Sequence, residues 1–111
     1  MQSMTERFEE QLPELLRAVE DSLRGGSSVQ QSFEALVRDI PHPAGEQVCL
    51  LVQEMQSGVS QEQALDHLLA RVPSGDLDLV VAVIKVQREI GGNLADKLNL
   101  IGHVIRTRKK I

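Results

Sequence analysis

Three features of the sequence predict an all-α fold, a compact six-helix bundle built from helical hairpins with glycine corners. The apolar share of 41% comes almost wholly from Leu, Val, Ile and Ala, with Phe8 and Phe33 the only aromatics, which suits packed helices. Cut at its glycines and prolines, the chain falls into six segments whose apolar residues recur every three or four positions. The corners also repeat: Gly26, Gly58 and Gly92 lie 32 and then 34 residues apart, and each precedes a segment that opens on a capping residue. Each unit reads as helix, glycine corner, capped helix. That period also fits an open helical-hairpin array, but with three units and one helix apolar nearly all round the closed bundle is favoured.

The first segment places Leu12, Leu15, Leu16, Val19 and Leu23 on one face and stops at Gly25-Gly26. Pro13 is read as a first turn or a kink, so residues 1–11 are set apart as an N-terminal lead-in, partly an added start or a juxtamembrane helix, before a domain at 12–111. The second segment opens with Ser28 and Gln31, spaced as a capping box, and carries Val29, Phe33, Leu36, Val37 and Ile40 up to Pro41. Beyond the His42-Pro43 turn the third presents Val48, Leu51, Val52 and Met55 and ends near Gly58. Ser60 and Gln63 form the next box, followed by Ala64, Leu65, Leu68, Leu69 and Val72, with Pro73 closing the fourth segment.

The fifth segment, LDLVVAVIKVQREI, starts behind Asp76 and Asp78, whose charge suits the positive end of a helix dipole. Its apolar residues fall on two sides, Leu77, Val80, Val81 and Ile84 against Leu79, Val83, Val86 and Ile90, which predicts a central helix. The β-branched content would also allow a buried strand, but the length of the run favours helix. Between this segment and the last, Gly91-Gly92-Asn93 lacks the third glycine of a dinucleotide fingerprint and the lysine of a P-loop. It reads instead as a left-handed glycine corner handing over to an Asn93 N-cap. The sixth segment then aligns Leu94, Leu98, Ile101 and Ile105 and runs into a basic tail.

No enzyme emerges from the residue set. His42, His67 and His103 show no zinc-site spacing, Cys49 is single and reads as a small buried apolar residue, and the acid pairs look like solvated faces. Catalytic, cofactor-binding and metal-binding residues are therefore all expected to be none; only convergence of His67 and His103 on carboxylates would revive an enzymatic reading. A lone cysteine favours a reducing compartment. The net charge of −4 is unevenly spread, for Arg106, Arg108, Lys109 and Lys110 crowd the last six positions without an acid. That tail can serve as a helix C-terminus matched to its dipole, as a juxtamembrane cluster, or as a nucleic-acid footprint, and the acidic body speaks against the last. No apolar run approaches the roughly 20 residues of a membrane span.

The order of LRGGSSVQQSFEAL, the PHPAGEQV turn, RVPSGDLDLVVAVIKVQREIGGNLADKL and the closing IRTRKK resembles the cytoplasmic type II secretion F domain, in the branch of Flp/Tad pilus assembly platform proteins (TadB/TadC-like). The resemblance runs from Leu12 to Lys110. It implies a non-catalytic, six-helix cytoplasmic domain of a bacterial inner-membrane platform protein that couples an assembly ATPase to pilin insertion. The partners it implies are that cytoplasmic ATPase, a second platform protein in a homo- or hetero-dimer, and, indirectly, pilin subunits; no nucleic acid is implied. Arg106, Arg108, Lys109 and Lys110 would then be juxtamembrane, on the cytoplasmic side. The structural corners of this reading are Gly25, Gly26, Gly58, Gly91, Gly92 and Asn93. A free-standing soluble helical adaptor is the alternative.

Overall fold

Among the described residues six helices follow one another: α1 (Met4–Arg24), α2 (Val29–Leu36), α3 (Ala44–Gln56), α4 (Gln61–Arg71), α5 (Gly75–Ile90) and α6 (Leu94–Lys109). The computed structural model describes residues 1–90 and 93–109, the side chains of 88–90 and 109 excepted. Among the described residues there is no strand. Successive helices pack as the hairpins α1–α2, α3–α4 and α5–α6, and α1 lies along α6 over the most extensive helix contact in the molecule. That contact joins the first unit to the last, so the three hairpins close into a bundle rather than extending as an open array.

The helix ends are built by local chemistry. At the end of α1 the Gly26 amide bonds the Leu23 carbonyl at 3.0 Å and the Ser27 amide bonds the Ser22 carbonyl at 3.2 Å, while Gly26 takes φ +102°. The same pattern ends α3, where Gly58 has φ +105° and the Val59 amide reaches the Glu54 carbonyl at 3.0 Å. Both are Schellman caps, whose left-handed residue is cheap only for glycine. Gly25, by contrast, keeps a right-handed φ of −77° and is the last helical-type residue before that turn. Ser28 and Gln31 form a reciprocal capping box, and so do Ser3 and Glu6. At Ser60 only one half is made, its Oγ accepting from the Gln63 amide at 3.1 Å.

Several local expectations are corrected. Pro13 neither starts nor splits a helix: α1 runs through it, so residues 4–11 belong to the same helix as 12–24. Proline lacks only one amide hydrogen, and burial of Phe8, Leu12, Leu15, Leu16 and Val19 along one stripe holds both sides of it in register. The second helix stops at Leu36 rather than Ile40, and residues 37–39 turn toward the His42-Pro43 peptide, which is cis. Cys49 is half-buried, not buried. The fifth helix is not the central one. Leu77, Val80, Val81 and Ile84 enter the core, whereas Leu79 and Val86 stay in solvent. The helix that touches most of the others is α1, which packs on α2, α3, α5 and α6. The core itself is tight, with a cavity of about 20 Å³ among Phe8, Leu12, Phe33 and their neighbours.

Candidate interaction surfaces

The sequence-predicted basic residues do not form one free cluster. Arg108 bonds Asp76 in the first turn of α5, a carboxylate that is itself nearly buried. Arg106 lies elsewhere, in a groove of about 170 Å³ between α1 and α6 together with Pro13, Arg17 and Gly102. Its guanidinium crosses over Gly102, where an added Cβ would meet Nη1 at 3.6 Å. The Lys109 side chain and Lys110 lie outside the described residues, as do Gly91 and Gly92. Asn93 is described: its Oδ1 accepts from the Asp96 amide at 3.2 Å, which caps α6.

The α1–α6 seam is polar along its outer edge. Arg24 bonds Asp96 at 2.9 Å and Glu20 at 3.2 Å, and Asn99 Nδ2 donates to Glu20 at 3.1 Å. The Asp96 and Glu20 carboxylates raise the Arg24 pKa above its ordinary value. Beside this seam Glu10, Glu14 and Asp21 are exposed on α1, with Arg17 interleaved. Residues spaced four and seven apart share a helix face, so these acids form a solvated stripe.

A second polar cluster locks α3 to α4. Arg71 Nε donates to Gln47 Oε1 at 2.7 Å, and His67 Nδ1 lies 2.9 Å from Glu54. His42 pairs with Glu46 at 2.8 Å, and His103 is exposed on α6. Among the described residues no carboxylate is shared by His67 and His103. No group of three or more His, Cys, Asp or Glu among the described residues could hold a metal ion.

Two features escaped the sequence reading. Gln11 on α1 grips the turn before α3 with both ends of its amide, donating to the Pro41 carbonyl at 2.7 Å and accepting from the Ala44 amide at 2.9 Å. Ser74 caps α5, accepting from the Leu77 amide at 3.2 Å and donating to Glu9. A lone glutamine carries no periodic signal, but the Ser74 spacing ahead of Leu77 was readable as an N-cap.

These surfaces join helices and present charge. The model for Type II secretion system (T2SS), protein F matches residues 8–111. The chain belongs to the type II secretion system protein F family. The match starts at Phe8, four residues ahead of the Leu12 read from sequence, and so includes the part of α1 that precedes Pro13. The protein F family occurs in platform proteins of secretion and pilus-assembly machines, which are inner-membrane proteins, and its domain is a non-catalytic platform domain. In this protein F domain no described helix is long and apolar enough to cross a membrane. No curated protein and no solved structure matched in the corresponding comparisons.

Proposed function

We propose that this chain is the cytoplasmic domain of an inner-membrane platform protein of the Flp/Tad type, a non-catalytic module that couples a cytoplasmic assembly ATPase to pilin insertion. The observation that carries the reading is protein F family membership across nearly the whole helical chain. Two physical features support it. The bundle is closed by the α1–α6 contact around a tight aliphatic core, which suits transmission of force. Its charge is uneven along the sequence, with residues 94–111 carrying five basic residues and one acid while residues 1–93 carry seven basic and fifteen acidic. In this reading a second platform protein is the lateral partner, and Arg106, Arg108, Lys109 and Lys110 belong to the membrane-proximal side.

A pull-down tests the ATPase contact. The chain, immobilised, is expected to retain the ATPase encoded beside its gene, and the charge reversals Glu10→Lys, Glu14→Lys and Asp21→Lys on the exposed stripe of α1 are expected to weaken retention. No retention by the unaltered chain, in the presence or absence of nucleotide, overturns the coupling role. Cell fractionation separates the adaptor alternative, because a natural gene product found wholly in the soluble fraction is no platform protein.

A further inference from the structure

The outer face of the α5–α6 hairpin is apolar where a bundle of this kind should be polar. Leu79 and Val86 on α5 are 46% and 50% exposed, and Leu100 and Val104 on α6 are 60% and 47% exposed. Half-buried Val83 lies between them on the α5 side. The two helices run antiparallel, since Arg108 near the end of α6 meets Asp76 at the start of α5, while Lys97 shares a groove with Val83, Val86 and Gln87. These five side chains therefore form one strip. Contiguous apolar surface of this sort marks a binding face rather than ordinary scatter.

Charge selects the occupant. Three described acids beside the hairpin are paired in place, Asp76 with Arg108, Asp96 with Arg24, and Asp66 of α4 with Lys85; the Glu89 side chain lies outside the described residues. Asp78 lies seven residues before Lys85, so it shares the flank turned toward α4 and not the strip. Lys97 and His103 remain exposed beside the apolar residues. The described face is thus aliphatic with the Lys97 cation at its rim, on a chain whose net charge is −4.

The composition of the strip also argues against a protein partner. It holds no aromatic residue and no deep pocket, only a shallow groove of about 230 Å³, whereas protein interfaces concentrate their energy in buried Trp, Tyr and Arg anchors. A bilayer surface asks for neither anchors nor directional hydrogen bonds. It rewards aliphatic side chains that reach the headgroup boundary and cations that meet anionic phosphate.

We infer that the α5–α6 hairpin lies flat on an anionic lipid surface, with Leu79, Val83, Val86, Leu100 and Val104 facing the headgroup boundary and Lys97 at its rim. The inference deepens the platform reading by fixing which side of the domain meets the membrane, and it orients α6 along the bilayer plane instead of end-on to it.

Vesicle sedimentation tests this with the full chain and needs no ATPase, so its failure is distinct from failure of the coupling role. The chain is expected to sediment with vesicles of equal phosphatidylglycerol and phosphatidylcholine at low salt and to stay in solution with phosphatidylcholine alone. Lys97→Glu is expected to weaken binding about fivefold or more, the effect of one surface cation. The pair Leu100→Ser and Val104→Ser is expected to abolish it with the helical circular dichroism unchanged, whereas Leu50→Ser on α3 leaves it intact. Absence of binding to the anionic vesicles overturns the inference. So does binding that survives the paired variant, or a self-associating chain in sedimentation velocity whose dimer the paired variant disperses, which would assign the strip to a second copy.

Discussion

Gln11 Nε2 donates to the Pro41 carbonyl oxygen at 2.7 Å, across 30 positions of sequence. The other end of the same amide accepts from the buried Ala44 amide at 2.9 Å, so one side chain of α1 fixes both ends of the turn that starts α3. Ala44 is in the first turn of its helix and has no intrahelical acceptor for its N–H. Gln11→Ala is expected to leave that donor unpaired and to destabilise the fold by about 1–3 kcal/mol in urea unfolding. Gln11→Glu, which keeps an acceptor for Ala44 and loses the donor for Pro41, should fall between the two. Equal stability of all three proteins would show that water replaces the grip at no cost.

Gly45 makes the same turn sterically exacting. Its amide bonds the Pro41 carbonyl at 3.0 Å, and a Cβ placed on it would lie 2.1 Å from the Ile40 carbonyl oxygen. Backbone cannot yield to that contact without moving the start of α3. Gly45→Ala is therefore expected to cost about 3 kcal/mol, at the upper end for overpacking. Gly58→Ala meets open space and is opposed only by its φ of +105°, so it should cost less, within about 1–3 kcal/mol. Chemical denaturation of the two variants side by side ranks them, and the reverse order would remove the steric argument.

The contrast between these positions shows what the sequence made legible. Helix number, the hairpin order, the Gly26 and Gly58 corners and the Ser28–Gln31 box were readable because each rests on chemistry within a few residues. Pro13 misled because propensity at one site was weighed against no knowledge of the packing stripe from Phe8 to Val19 that carries α1 through it. The fifth helix misled for a related reason: an apolar residue at Leu79 or Val86 states a preference for burial, and only the arrangement of the other helices decides whether a neighbour exists to cover it. Gln11 was invisible because its partners are some 30 residues away. For the surfaces, the basic character of the last helix could be read, but not that Arg108 would turn back onto Asp76 while Arg106 crossed to the α1 side.

The Arg108–Asp76 pair ties the last turn of α6 to the first turn of α5. Asp76 is nearly buried, but Arg108 is mostly exposed, so solvent screens the attraction. The α5 N-terminus also stabilises the carboxylate when Arg108 is gone. A double-mutant cycle with Arg108→Ala and Asp76→Asn is expected to give a coupling of about 0.2–1 kcal/mol that shrinks with added salt. Hydrogen exchange gives the local readout: Arg108→Ala should speed exchange in the last turn of α6 and leave α3 and α4 untouched.

Leu98 and Leu100 are two residues apart on α6 and should behave oppositely. Leu98 is 1% exposed and packs in the core, while Leu100 faces outward. Leu98→Ala is expected to cost about 2–5 kcal/mol through lost transfer energy and the cavity left behind. Leu100→Ser should stay within about 0.5 kcal/mol of the unaltered chain. Thermal unfolding separates the two cases directly. A large loss for Leu100→Ser would mean that the outer face of α6 is already covered in solution.

Gln87 offers a gain of stability instead of a loss. Among the described residues its Oε1 is buried with no hydrogen-bond partner, in the groove that α5 shares with Lys97. An acceptor withdrawn from water and left unmatched costs free energy that no nearby donor returns, whereas an apolar side chain of similar length carries no such penalty. Val83 and Val86 already supply an apolar wall on the same side. Gln87→Met should therefore raise stability by about 1 kcal/mol, since Met keeps the length and fills irregular space well. Gln87→Glu is expected to lower it, because the same position would then hold a charge. Urea midpoints at constant slope provide the comparison, and a destabilising Gln87→Met would mean that the Gln87 oxygen is hydrated after all.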